Sequence, residues 1–362
     1  MPEIEKIMNI ATGDIEKLMN IAGDDIEKVM NIEYPSSAVW TGTRGLVFGG
    51  SRNDGSSMVP TDIIDYKTVS STGGMTTFGE LAVTGTNYYC CGLSNGTRGV
   101  VPGGYDSVGG NAMFNEIQYV TVGSTGNTSD AGDLTQAKSD CVAASNGTNG
   151  YVFAGNILAS WAELQEIDYW AIATSNNASD FGDLSTSAID QQGGAINDAT
   201  YALRYKGITS GSTWGNKYID YITMASTSDT SDFGDMTVTG AQGLGGCEDT
   251  TRGVNWSGRY DGSSDTNVID YVTTATTGDA TDFGDVSSSL ANSSGSGGAG
   301  NQASGANAVS NLTKGEVYGG YSQGGPYHAN IDYITIQTTG DATSAGNDLT
   351  AENNQLGSLS GT

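Results

Sequence analysis

An all-β fold, a six-bladed β-propeller with a short N-terminal helical extension, is what this sequence predicts, and three observations carry the prediction. The first is a triplet that recurs six times: Ile64-Asp65-Tyr66, Ile117-Gln118-Tyr119, Ile167-Asp168-Tyr169, Ile219-Asp220-Tyr221, Ile269-Asp270-Tyr271 and Ile331-Asp332-Tyr333. The central positions lie 53, 50, 52, 50 and 62 residues apart, and a period near 50 is the length of one propeller blade. The second is that β-branched and aromatic residues come in short runs bounded by Gly, Ser, Thr and Asn, the pattern of strands and turns rather than of long helices. The third is where the chain stops. Its final text, NQLGSLSGT, has the character of a strand that ordinarily leads into another copy, yet no copy follows.

Each copy contains four elements, which together read as one four-stranded antiparallel sheet. A Gly-ended run comes first, as in TRGLVFGG (43 to 50), TRGVVPGG (97 to 104), TNGYVFAG (148 to 155) and TKGEVYGG (313 to 320). The Ile-Asp-Tyr strand follows, and then a short FGDL-type segment, such as Phe78-Gly79-Glu80-Leu81, Phe181-Gly182-Asp183-Leu184 or Phe233-Gly234-Asp235-Met236. A small-residue strand such as CVAASNGT (141 to 148) closes the copy. Sheets this short cannot bury two faces alone, so the copies must stack on one another, and radial stacking closes the problem. The first blade begins near Val39, and the terminal NQLGSLSGT is expected to complete it and latch the ring. The insertion 287 to 311, rich in Gly, Ser and Asn, reads as a loop inside the sixth copy.

Residues 1–35 form a separate segment, with the propeller over 36–362. The phrases IEKIMNIATGD, IEKLMNIAGDD and IEKVMNIEYP start at Ile4, Ile15 and Ile26, 11 residues apart. Apolar residues recur on a helical stripe made by Ile4, Ile7, Met8, Ile15, Leu18, Met19, Ile26, Val29 and Met30, and an 11-residue period suits a slightly right-handed bundle. Gly13 and Gly23 with Asp14 and Asp24 would instead break the stripe into short capped helices. The stripe either lies on the blade surface or serves as an oligomerising and docking stalk, with Pro35 at the hinge.

Composition limits the function. With 14 basic against 41 acidic residues the net charge is -27, which repels phosphate backbones and anionic lipid, so neither nucleic-acid binding nor membrane insertion is expected. The opening MPEIEKIMNI carries charge throughout, unlike a signal peptide. Cys90, Cys91, Cys141 and Cys247 include no C-x-x-C pair and the lone His328 is distant in sequence, so no zinc site is expected; the cysteines read as small buried apolar groups. No cofactor is implied.

The combination of DIEKVMNIEYPSS with reiterated TRG-V-x-GG, IDYITI, TTGDATDFGDLT-type and SNGTRG segments resembles kelch-like propeller proteins of marine bacteriophages, in particular cyanophage tail-fibre and tail-associated virion proteins. The resemblance covers almost the whole chain. It implies a structural component of the virion; the opening, unlike a signal peptide, adds synthesis in the host cytoplasm, and the N-terminal stripe adds a homo-oligomer that contacts other virion proteins there. It departs in copy four, where YALRY (201 to 205) replaces the Gly-ended run, and in copy two, where Gln118 replaces aspartate.

The acidic residues have two readings. Glu80, Asp133, Asp183, Asp235, Asp285 and Asp348 align in the third element, and Asp229, Asp232, Asp279 and Asp282 add carboxylates that would suit calcium. Against that, aspartates in tight turns accept backbone N–H groups, and copy one has Gly74 and Thr77 at the same places. We therefore assign no metal. The mid-strand aspartates read as structural, partnered by N–H groups of a neighbouring turn, with Arg44, Arg98, Arg252 and Lys314 as alternatives. No nucleophile or zinc-protease signature occurs, and the chain is not expected to be an enzyme.

What differs between copies is the connection between the first and second elements. Phe114, Trp161, Trp214, Tyr327 and His328 lie in these variable loops, among Asn, Asp, Ser and Gly. Aromatic faces beside hydrogen-bonding side chains suit a glycan, so the expected function is a receptor-binding head that contacts a host-surface carbohydrate. A capsid decoration subunit with no receptor role is the alternative, and a hydrolase of envelope glycan the outlier.

Overall fold

The computed structural model describes residues 42–53, 58–82, 89–106, 112–157, 162–185, 194–205, 217–238, 245–256, 266–287, 308–319, 329–347, 349–350, 353–354 and 357–361. The N-terminal stripe from Ile4 to Met30 lies outside them. Residues 38–362 form one compact unit.

The unit is a six-bladed propeller of four-stranded antiparallel sheets. Blade three is representative. Its innermost strand Val142–Ser145 pairs with Asn149–Phe153, which pairs with Glu166–Ala171, which pairs with the outer strand Ser179–Asp183. The expected elements are all present but their grouping differs in one respect: the small-residue strand belongs to the blade that follows it, not to the copy it ends. Its short hairpin to the next Gly-ended run explains why. In that turn Asn146 Oδ1 accepts the backbone N–H groups of Thr148 and Asn149, and Asp198, Asp249 and Asn311 do the same in blades four, five and six. A tight side-chain-capped turn holds these two strands together locally.

One inner strand has no such hairpin. The C-terminal Gly357–Gly361 pairs along the whole length of Arg44–Phe48, from Arg44 with Gly361 to Phe48 with Gly357. The first blade is thus completed by the last residues, and the inner strands touch in a closed circle.

The cores lie between the blades. Six apolar clusters each draw on two adjacent sheets: Tyr151, Phe153 and Phe181 of blade three meet Ala202, Ile222 and Met224 of blade four, and Val47 and Val69 of blade one meet Val309, Tyr318 and Ile331 of blade six. Strand alternation sets this up. Ile167 packs toward blade four while Trp170, on the opposite face of its strand, packs toward blade two, so a single strand serves two joints.

Charged and aromatic residues link the blades above these cores. Arg44, Arg98 and Arg252 lie over Tyr66, Tyr119 and Tyr271 of their own blades, and each reaches a carbonyl of the next blade: Val122, Ile172 and Ile336. Blade three has Asn149 instead, and there the Tyr151 hydroxyl donates to the corresponding carbonyl, that of Met224, at 2.7 Å. Blade four keeps its strand despite the YALRY text, with Tyr201 edge-on to Tyr221.

Each outer strand carries a β-bulge opposite the Ile-Asp step, and the glycine after the bulged residue lets the next blade approach. A Cβ on Gly234, at φ +153°, would sit 2.3 Å from the carbonyl oxygen of Gly278. Around that contact Gly278 N donates to Phe233 O and Ala280 N to Asp235 O, while Asp279 accepts the N–H of Asp235. Asn127, Asn177, Asp229 and Asp341 make the same cap at the other joints from blade one to blade six. The joint between blades six and one differs: Gly74 stands where the capping side chain would be, and a Cβ on Gly346 would meet nothing within 4 Å. Register also corrects one alignment, since Asn347, not Asp348, pairs opposite Asn330 where Asp183 pairs opposite Glu166.

Two outcomes are expected. Gly234→Ala should destabilise the protein by about 2–4 kcal/mol in chemical denaturation, through backbone strain and displacement of the neighbouring turn, whereas Gly278→Ala, with open space around its Cβ, should change it by less than about 0.5 kcal/mol. Ending the chain at residue 356 removes the latch strand, and differential scanning calorimetry should then show a lowered and broadened transition in place of a single cooperative one.

Candidate functional site

Strand direction assigns every connection to one of two faces. The capped turns between inner and second strands leave one face of the disc, as do the hairpins between third and outer strands. The second-to-third connections and the links from each outer strand to the next blade leave the other. The roots of the long and dissimilar connections therefore share one face. In blades one to three the connections begin as small hairpins: Ser51–Asn53 with Met58–Pro60, Tyr105–Asp106 with Ala112–Met113, and Asn156–Ile157 with Ala162–Glu163. In blade one Asn353–Asn354 from the C-terminal segment adds a third strand.

Of the five loop side chains expected to contact ligand, Phe114 is described. It is half-buried at the root of its loop, where its N–H donates to Gly104 and its carbonyl accepts from Lys138 N. Its backbone is fixed by the scaffold. Trp161, Trp214, Tyr327 and His328 lie outside the described residues.

Beneath this face lies a row of buried mid-strand carboxylates. Four of the five are met by the residue that follows the FGDL-type segment of the preceding blade: Thr135 Oγ1 donates to Asp168, Thr237 N and Oγ1 to Asp270, Ser287 N and Oγ to Asp332, and Thr350 Oγ1, from blade six, to Asp65. The expected N–H partners are therefore present at Asp270 and Asp332, joined by hydroxyls. Blade one offers Ala82 at this place, and the residue it faces is Gln118, which accepts from Ala82 N and Thr128 Oγ1. Ala82 brings no hydroxyl of its own, and the position carries a neutral acceptor instead of a charge. Burial pushes the carboxyls of Asp270 and Asp332 above the usual carboxylate range.

Three of these carboxylates have cationic partners that sequence reasoning missed. Arg52 meets Asp65 at 2.7 Å, Lys138 meets Asp168 at 2.6 Å, and Arg204 pairs with Asp220. Arg44, Arg98, Arg252 and Lys314 are committed elsewhere, to tyrosine rings. A signal for two of the three was present, because Arg52 stands one residue beyond the Gly-ended run of copy one and Arg204 replaces a residue of that run in copy four.

The central channel is narrow, a cavity of about 70 Å³ walled by the inner strands, with Ser94, Ser145, Asn197, Glu248 and Ser310 around it. It is too small for a sugar ring and suits a few waters. Glu248 is its one carboxylate among the lining residues, and enclosure by protein, reinforced by Asp249, pushes its pKa up to about 8. The cysteines are all buried, and burial raises the Cys90 thiol to about 12 and Cys247 beyond it. Cys247 accepts the Trp256 indole N–H at 3.2 Å, so Cys90 and Cys247 are packed, protonated groups.

Glu248 yields a sign-defined expectation. Its proton is held in the fold up to about pH 8 but released from the unfolded chain near 4.5, so the folded state binds more protons between these values and stability falls as pH rises through that window. Glu248→Gln should reduce the loss of stability between pH 5 and pH 8.5 by roughly 2 kcal/mol, the channel water screening part of the full effect. Urea denaturation of both proteins at the two pH values checks it; parallel losses would show that Glu248 stays ionised.

No protein-family model matches the chain, and no curated protein matches it.

Proposed function

We propose that the chain is a structural protein of a bacteriophage particle, a tail-fibre or tail-associated head that docks through its N-terminal segment and binds a host-surface glycan through its variable face. The observation that carries the reading is the division of the disc. One face is made of short, repeated, side-chain-capped turns, and the other gathers the roots of the long connections, each with a different sequence on the same strand framework. Packing dictates the first and not the second, and residues free of packing duties on a rigid platform are where recognition is placed. The text of the repeat, with its resemblance to marine phage propellers, supplies the biological setting, and the apolar stripe from Ile4 to Met30 the docking element.

The chemistry of the loops favours a neutral or weakly charged polyol. Tryptophan and tyrosine faces at 161, 214 and 327 offer stacking on sugar C–H groups, while surrounding Asn, Asp and Ser offer donors and acceptors. Several copies of the head on one particle would multiply a weak individual affinity.

Gold-labelled antibody on intact particles should decorate the tail or its fibres. The purified full chain should compete with particle adsorption to host cells, and Trp161→Ala combined with Trp214→Ala should weaken that competition by roughly tenfold or more. Label confined to the capsid, together with no competition, would instead make the protein a decoration subunit.

A further inference from the structure

We propose that Lys138 and Asp168 are the site of a self-made covalent cross-link, an amide bond between the lysine amine and the aspartate side chain that ties blade two to blade three. Lys138 lies in the link from blade two to the inner strand of blade three, and Asp168 is the mid-strand carboxylate of blade three. Nζ stands 2.6 Å from Oδ2, and both side chains are completely excluded from solvent. The approach lacks hydrogen-bond alignment: neither Nζ nor Oδ2 has an aligned partner. The other carboxylate oxygen, Oδ1, accepts the Thr135 hydroxyl at 2.5 Å.

These are the requirements for amide formation. The step begins with transfer of one proton from nitrogen to Oδ2, across the 2.6 Å between them, to give amine and carboxylic acid. The nitrogen lone pair then forms a bond to Cγ, and the charge that develops on Oδ1 is stabilised by the Thr135 hydroxyl. The Cγ–Oδ2 bond breaks, and Oδ2 leaves as water carrying the first proton and a second from the nitrogen. An ammonium and a carboxylate have become an amide and one water, with no other reagent. Both partners are pinned: Lys138 N donates to Phe114 O and its carbonyl accepts Gly104 N, while Asp168 is paired with Val152 on one side and Asp180 on the other. Reactants held this way need little further ordering.

The other ion pairs among the described residues do not meet these conditions. Asp65 and Asp220 face arginines, whose delocalised guanidinium is no nucleophile. Lys217 and Asp235 are open to water. Lys67 and Lys314 stand 3.5 Å and 4.0 Å from Glu316, whose two oxygens already accept Ser70 N and the Tyr318 hydroxyl.

Intact-mass measurement of the full chain after denaturation tests the proposal. The protein should be lighter than its sequence by one water, and Lys138→Arg and Asp168→Ala should each restore the full mass. Cleavage after glutamate, at Glu163 and Glu166 between the two residues, should leave a branched peptide joining position 138 to position 168. A wild-type protein at full sequence mass overturns the proposal. So does a one-water loss without that branched peptide, which is the outcome for a succinimide at Asp54-Gly55 or Asp261-Gly262.

Discussion

No blade of this protein can stand alone, because its core is shared. Each apolar cluster is assembled from two sheets, so a strand such as Glu166–Ala171 must present Ile167 to one neighbour and Trp170 to the other. The sequence repeats because the joints repeat. A strand that satisfied its own sheet but not the adjoining one would leave a bare apolar face, and the six-fold recurrence of Ile-Asp-Tyr records that double obligation.

The same constraint explains the departures from the repeat. Where blade three lacks the arginine found at Arg44, Arg98 and Arg252, a phenol reaches the waiting carbonyl of the next blade. Where blade one supplies Ala82 in place of a hydroxyl, the facing aspartate is Gln118. In the first case another side chain of the same blade takes over the contact, and in the second a change on one side of a joint is matched on the other, as expected when a buried polar group left without a partner costs about 1–3 kcal/mol. The closing joint follows different rules. It lacks the capping side chain and the close glycine contact of the other five, and is held by the latch strand, the Thr350–Asp65 hydrogen bond and the buried Lys67–Glu316 pair. This joint brings together residues 285 apart in sequence, so it closes the longest loop in the ring.

Much of this architecture was legible from spacing alone. The number of blades, the strand content and the latch all follow from counting the triplet and noting an unpaired final strand. What escaped was whatever depends on which blade faces which. The small-residue strand was grouped with the wrong copy because adjacency in sequence is symmetrical, while the Asn146-type cap that binds it forward is seen only in the turn. Asp348 was aligned by letter, but the extra residue in AGND shifts register by one. Partners for the buried aspartates were sought at the starts of strands, whereas Arg52 and Lys138 reach in from connections whose course sequence does not give. The candidate site was legible only as a contrast between fixed strands and varied loops, since no periodicity governs residues that make no repeated contact.

The charge of the molecule narrows what the variable face can recognise. A net charge of -27 surrounds the disc with a potential that slows the approach of phosphorylated or carboxylated surfaces, and screening to a Debye length of about 8 Å in physiological salt confines that repulsion to near contact. Attraction must then come from groups that act at short range and without charge: aromatic faces against C–H surfaces, and amides and hydroxyls against hydroxyls. Such residues are present in the variable loops, beside the charged ones. On the proposed reading, a ring closed by its own joints fixes the roots of these loops, so little conformational entropy would be lost from the platform on binding. The propeller's stiffness and the loops' variety thus serve one end, a surface whose chemistry can change from copy to copy while the joints beneath it stay the same.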